Sequence, residues 1–217
     1  PEQNLDAEDT SSILIQPDGK ILIGGVYPSY NNTFRTSFAR ILNNNSPQTR
    51  RTSFDFDGDG KSDISVFRPS DRNWYLNRSS QGFAALQWGI STDKIAPADY
   101  DGDGKTDVAV WREGSLANFY VLNSGDNTVR VEQFGQTGDA LTVGDWDGDG
   151  KADAAVYRDS AVGSQSYFYY RGSNNNPNQN VTYLPWGTTG DKPQLGDFDN
   201  DGKTDLAVFR SSNTTWY

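Results

Sequence analysis

The sequence predicts an all-β repeat protein, and three observations carry that expectation. The nine-residue pattern Asp55-Phe-Asp57-Gly-Asp59-Gly60-Lys61-Ser-Asp63 returns at Asp99 to Asp107, Asp145 to Asp153 and Asp197 to Asp205, with starts 44, 46 and 52 residues apart. Each copy runs directly into Ile-Ser-Val-Phe-Arg68, Val-Ala-Val-Trp-Arg112, Ala-Ala-Val-Tyr-Arg158 or Leu-Ala-Val-Phe-Arg210. These β-branched and aromatic runs are of strand type. No window holds a sustained helical period, and the abundance of Gly, Asn, Asp, Ser and Thr fits a chain with many turns.

In each copy, carboxylates at positions 1, 3, 5 and 9 alternate along a sharply turned loop and converge on one point, with a glycine at position 6 supplying the backbone freedom. The candidate ligands are Asp55, Asp57, Asp59 and Asp63; Asp99, Asp101, Asp103 and Asp107; Asp145, Asp147, Asp149 and Asp153; and Asp197, Asp199, Asp201 and Asp205. The backbone carbonyls of Lys61, Lys105, Lys151 and Lys203 at position 7 are further candidates, their charged side chains expected to point to water. Six to eight oxygens suit Ca²⁺, whereas Mg²⁺ demands a tighter octahedron and keeps several waters. The chain is therefore expected to hold about four Ca²⁺ ions, one per loop. Position 12, a bidentate Glu in a helix-flanked EF-hand loop, is here Val66, Val110, Val156 or Val208, so these loops join strands.

Those loops and the strands after them resemble the FG-GAP (VCBS) repeats of integrin-like β-propellers, and the resemblance covers Phe54 to Tyr217. It implies Ca²⁺ bound between strands of a propeller. The repeat length is the period of a four-stranded blade. The expected fold is thus all-β, a β-propeller-like array of four-stranded blades with calcium loops between strands, divided as 55–98, 99–144, 145–196 and a partial 197–217. After each loop strand comes an aromatic strand: Asn73-Trp-Tyr75-Leu, Asn118-Phe-Tyr120-Val, Tyr167-Phe-Tyr-Tyr170 and Thr215-Trp-Tyr217. A third element ends in Gln87-Trp88-Gly89, Gln133-Phe134-Gly135 or Pro185-Trp186-Gly187. Rings recurring once per blade are expected to pack between neighbouring blades; stacking on sugars is the alternative. Asp93, Asp139 and Asp191 each stand six residues before the next loop. They either join the calcium shell or cap a tight turn, and the turn is favoured because the loop already supplies enough ligands.

Residues 1–46 are organised differently. Ile13-Leu-Ile15 and Ile21-Leu-Ile23 flank Gln16-Pro17-Asp18-Gly19-Lys20, a hairpin signature, followed by a polar loop from Tyr27 to Thr33 and a third strand candidate from Ser37 to Leu42. This pattern is similar to the Asp-Gly-Lys hairpin repeats of bacterial surface β-propellers. Residues 47–54, with Arg50-Arg51, are expected to form a linker.

The formal charge of −10 argues against nucleic-acid or anionic-membrane partners. Its cause is local, since the four loops hold sixteen of the 29 acidic residues. No apolar run is long enough to span a bilayer. With no His and no Cys, the usual general base, thiol nucleophile and imidazole metal ligands are missing, so no enzyme is expected. The chain starts without Met and stops inside a fourth repeat, which reads as an excerpt or processed piece. The expectation is an extracellular or cell-surface, bacterial, calcium-stabilised structural or adhesive repeat protein. Self-association through terminal strands would make it a surface or filament subunit, with a glycan or surface protein as a further partner; the alternative is a carbohydrate-binding, lectin-like propeller.

Overall fold

A computed structural model describes residues 52–217 in full and, of residues 1–51, the backbone of the strands. The chain divides into two units, residues 1–50 and 51–217. Among the described residues every regular element is a strand, all pairings are antiparallel, and no helix is long and apolar enough to cross a membrane.

The first unit contains β1 (Leu5–Asp6), β2 (Asp9–Ile15), β3 (Ile21–Val26), β4 (Ser29–Tyr30), β5 (Thr33–Phe34) and β6 (Phe38–Ile41). The hairpin forms as the sequence implies, with Ile15 opposite Ile21 and Ile13 opposite Ile23, and β6 adds to β3. A second small sheet, β1-β4-β5, takes up part of the stretch expected to be a polar loop. The hairpin turn at 16–20 and the linker residues up to Arg51 lie outside the described residues.

The second unit is a row of four small sheets. The first holds β7 (Ile64–Arg68), β8 (Asn73–Arg78) and β9 (Gly82–Gln87). In the second are β10 (Lys94–Ile95), β11 (Val108–Arg112), β12 (Asn118–Leu122) and β13 (Val129–Gln133). The third is built of β14 (Ala140–Leu141), β15 (Ala154–Arg158), β16 (Gln165–Arg171) and β17 (Thr182–Thr188), and the fourth of β18 (Lys192–Gln194), β19 (Ala207–Arg210) and β20 (Thr215–Trp216). Strand order follows chain order in each. The short strand before an acidic loop pairs with the strand after it, as Lys94 does with Trp111 and Ala140 with Tyr157. The second, third and fourth loops therefore lie inside a sheet, between its first and second strands, whereas the first loop precedes the first strand of its sheet. The sheets are offset from the sequence repeat counted from its first aspartate.

Alternation along the second strand explains how the sheets stack. Successive side chains of a strand point to opposite faces. Val108 and Val110 of β11 join Phe56, Trp74 and Leu76 in a core shared with the first sheet, while Ala109 and Trp111 face Ala152, Ala154 and Val156 of the third. Repeating the arrangement, Ala155 and Tyr157 of β15 pack with Trp146, Phe168 and Val208 of the fourth. A strand covered on both faces must be apolar at every position, which is why Val-Ala-Val-Trp and Ala-Ala-Val-Tyr are continuous runs. The repeated aromatics fill these seams as packing predicts: Trp74, Phe119 and Phe168 are fully buried. Trp88 donates its indole N–H to the Tyr120 carbonyl of the next sheet at 3.0 Å.

Asp93, Asp139 and Asp191 cap turns. Their carboxylates accept the backbone N–H of Ile90, Gln136 and Thr188 at 2.8, 3.0 and 2.8 Å. Each also takes both forks of an arginine at the end of the following loop strand: Arg112, Arg158 and Arg210. Those guanidinium groups lie over Tyr120, Tyr169 and Tyr217.

Candidate metal centres

The acidic loops are wound by their own carboxylates. At position 1, Asp55 accepts the N–H of Gly58 and of Gly60, both at 2.7 Å, and Asp145 does the same with Gly148 and Gly150. Glycine at position 6 is needed because φ there is +83, +89, +85 and +89° at Gly60, Gly104, Gly150 and Gly202. Position 9 ties the ends together: one oxygen of Asp63, Asp107, Asp153 and Asp205 accepts the N–H of the aromatic residue at position 2, at 2.6–2.9 Å. In the first three loops its other oxygen accepts Ser79, Ser124 or Ser173 N–H at 2.7, 2.6 and 2.8 Å.

This winding brings positions 1, 3 and 9 together in all four copies. One carboxylate oxygen from each of Asp55, Asp57 and Asp63 lies within 4.8 Å of the others, and the same holds for Asp99, Asp101 and Asp107, for Asp145, Asp147 and Asp153, and for Asp197, Asp199 and Asp205. Position 5 stands outside these trios. Asp59, Asp103 and Asp149 turn toward the hairpins that follow β8, β12 and β16, where the hydroxyls of Ser79, Ser124 and Ser173 donate to them. They and Asp201 also accept the N–H of Lys61, Lys105, Lys151 and Lys203.

The lysine side chains differ in what their stems cover. Lys61 has its ammonium 3.2 Å from Asp59. Lys105, Lys151 and Lys203 lay their aliphatic stems across Gly58, Gly102 and Gly148 of the preceding loop. A lysine stem covers apolar surface readily while its ammonium stays wet. Sequence reasoning also missed Ser79, Ser124 and Ser173. The available signal was a serine 16, 17 or 20 residues after each position-9 aspartate.

The electrostatics of the trios favour a cation. Asp107 and Asp153 are fully buried, and among the described residues no Lys or Arg pairs with Asp145, Asp147 or Asp153. Burial, reinforced by the Asp147 and Asp145 charges, pushes the Asp153 carboxyl up to about 7, and burial also raises Asp107 and Asp145. Uncompensated carboxylates out of water are costly, and a bound cation removes that cost. All donors are oxygen and the chain contains no Cys or His, so the set fits a hard divalent ion and offers nothing to a thiolate- or imidazole-seeking metal. The fourth trio is the most exposed of the four.

No curated protein matches the chain. A family model described as FG-GAP-like repeat matches it three times in overlapping register, at residues 55–110, 99–156 and 145–208, each match running from one acidic loop through the strand that follows the next. With four wound acidic loops, each followed by a strand of the same sheet, and these matches covering more than half of its length, the chain belongs to the FG-GAP-like repeat family.

Proposed function

We propose that this chain is an extracellular structural or adhesive repeat protein, without catalytic activity, whose sheets are stapled by Ca²⁺ held at the four acidic loops. Repeats of this family are typically extracellular, where calcium is abundant. The observation that carries the reading is the trio at Asp145, Asp147 and Asp153, in which Asp153 is buried and, among the described residues, no Lys or Arg pairs with any of the three, placed where one sheet meets the next. A Ca²⁺ ion there would draw on those three carboxylates, and Asp149 and the Lys151 carbonyl are the remaining candidates. The ion would remove the carboxylate repulsion and hold the loop against the hairpin at Ser173. Each site filled at about a hundredfold over its Kd adds ~2.7 kcal/mol to the folded state. Thermal melting with Ca²⁺ and with a chelator tests this: a rise in Tm with Ca²⁺ is expected, and equal Tm values would overturn it.

Self-association as a surface or filament subunit is proposed from the exposed faces of the first and fourth sheets of residues 51–217. Val66 of β7 is 55 % exposed, whereas Val110, Val156 and Val208 at the same loop position are buried against a preceding sheet. Phe198 is 65 % exposed, whereas Phe56, Tyr100 and Trp146 at its position are buried. Two unlike faces that match each other pair head to tail. Sedimentation at rising concentration in Ca²⁺ is expected to show oligomers, and a monomer at every concentration removes this part of the proposal.

A second reading, carbohydrate binding, is favoured by a groove of about 410 Å³ between β13 and the end of β16. Arg130, Glu132, Gln133, Arg171, Asn176 and Gln179 line it with polar groups. Glycan-array binding that disappears in Arg130→Ala would establish this reading over the first.

A further inference from the structure

The three seams between successive acidic loops are built alike. Thr106 N–H donates to the Asp55 carbonyl at 2.6 Å, Ala152 to Asp99 at 2.7 Å and Thr204 to Asp145 at 2.6 Å. Each donor immediately precedes the position-9 member of one trio, and each acceptor is the position-1 member of the trio before it. Ligand residues of adjoining sites are therefore separated by one hydrogen bond and one peptide unit. The lysine before each donor closes the same seam. Stem carbons of Lys105, Lys151 and Lys203 come to 3.1, 3.1 and 2.8 Å from where a Cβ would stand on Gly58, Gly102 and Gly148. Those glycines donate their N–H to Oδ1 of Asp55, Asp99 and Asp145 at 2.7 Å. The lysine of one loop thus packs on the residue that aims a ligand of its neighbour.

We propose that adjoining cation sites bind cooperatively through these seams, the position-8 amide and the position-7 lysine stem acting as positioning groups for the preceding site. The proposal rests on the Ca²⁺ reading given above. Filling a site draws its position-9 aspartate inward and fixes the peptide before it. That peptide N–H holds the carbonyl of the preceding position 1, so the neighbouring loop is partly ordered before its own ion arrives. A ligand that meets an already ordered site loses less conformational entropy on binding, which makes the coupling positive. It is also reciprocal, since linkage requires each site to help the other equally. Electrostatics acts in the opposite sense, because a filled trio withdraws negative charge from the vicinity of the next. That effect is screened by salt, whereas the hydrogen-bonded seam is not, so the coupling persists in 1 M KCl, where the Debye length is ~3 Å.

The position-6 amides of Gly60, Gly104, Gly150 and Gly202 each belong to one loop and give site-resolved Ca²⁺ isotherms by NMR of glycine-labelled protein. Asp147→Asn, which damages the third site, is expected to weaken the isotherms at Gly104 and Gly202 about fivefold or more, within the usual range of coupling between sites. The isotherm at Gly60, two seams away, is expected to stay unchanged. Lys151→Ala removes no ligand atom and is expected to weaken the Gly104 site while leaving Gly150 nearly as it was. Should Asp147→Asn not fold, Lys151→Ala alone decides. Unchanged neighbours in both variants, or a Lys151→Ala effect confined to Gly150, would overturn the coupling while leaving the Ca²⁺ reading intact. If no glycine amide of the intact chain responds to Ca²⁺, the Ca²⁺ reading falls and the coupling with it.

Discussion

Arg112 closes on both carboxylate oxygens of Asp93, with Nε 2.8 Å from Oδ1 and Nη2 2.9 Å from Oδ2. The aspartate side chain is fully buried and the arginine about one-third exposed. The same carboxylate caps the turn at Ile90. Asp93→Ala is expected to cost about 2 kcal/mol, below the 3–5 kcal/mol typical of breaking a fully buried pair, because Arg112 can return to water. A drop of less than 2 °C in Tm would assign the pair no structural weight. At the third copy, the Arg210 hydrogen bond holds Asp191 below the usual carboxylate range. A depressed carboxylate contributes stability above its unfolded pKa and loses it as pH falls through the folded value. Asp191→Asn is therefore expected to flatten the acid limb of the stability curve below about pH 4.

How much of this was legible in the sequence follows from what repeats. Asp93, Asp139 and Asp191 were visible from their constant offset to the next loop, and their turn-capping role followed from the ligand count. The arginines read in the sequence only as ends of strand runs, although Asp93 and Arg112, Asp139 and Arg158, and Asp191 and Arg210 are all nineteen residues apart. A pairing between a turn and a strand end is set by how the sheet folds over its loop, and no local pattern displays it. For the same reason no local pattern shows what the stems of Lys105, Lys151 and Lys203 cover: that surface belongs to a different repeat. The alternating loop aspartates were legible because winding and ligation are both local. What the sequence does not display is that Asp59, Asp103 and Asp149 are held by Ser79, Ser124 and Ser173 of a later hairpin, a contact made only when the sheet folds.

Without a cation, the chain is expected to lose stability as pH rises. The Asp153 carboxyl sits at about 7 in the folded protein against an ordinary value of 3.8. Between those values the folded chain keeps a proton that the unfolded chain has released, so raising the pH across this window favours unfolding. Ca²⁺ needs the deprotonated carboxylate, so its stabilising effect grows over the same window. In a pH-tolerant chelator, Tm is expected to be higher at pH 5 than at pH 7.5, and the gap between Ca²⁺ and chelator is expected to widen toward pH 7.5. Asp153→Asn should remove most of the chelator slope. A slope of unchanged size in that variant would place its origin elsewhere.

Trp88 separates packing from ligand binding. Its ring joins the core between the first and second sheets, and its N–H is held by the Tyr120 carbonyl. Trp88→Ala is expected to cost about 3 kcal/mol, the low end for truncating a core aromatic. Trp88→Phe should recover most of the packing while losing the hydrogen bond. Trp186, 39 % exposed, is expected to cost less than half as much on truncation. Saccharide binding that vanishes in Trp88→Ala at a temperature where the fold survives would favour sugar stacking over packing at this position.

Gly148 and Asn200 occupy position 4 of the third and fourth loops, and the comparison isolates what the lysine stem requires. Both have left-handed backbone, at φ +80° and +64°. Asn tolerates that region better than other side chains, so Gly148→Asn carries little backbone strain, whereas Gly148→Ala carries about 1 kcal/mol of it. Both variants place a Cβ 2.8 Å from the Lys203 stem, too close for the lysine to stay. Lys203 is exposed and flexible enough to move aside. Gly148→Asn is therefore expected to lower stability by only about 0.5 kcal/mol and Gly148→Ala by about 1.5 kcal/mol. In the opposite direction, Asn200→Gly changes no candidate ligand and is expected to leave the fourth site competent for Ca²⁺, with stability altered by no more than about 0.5 kcal/mol. Melting curves of the three variants in Ca²⁺ check the order. Were Gly148→Asn as damaging as Gly148→Ala, displacement of the lysine rather than backbone strain would dominate, and the stem of Lys203 would be a far tighter part of the seam than its exposure implies.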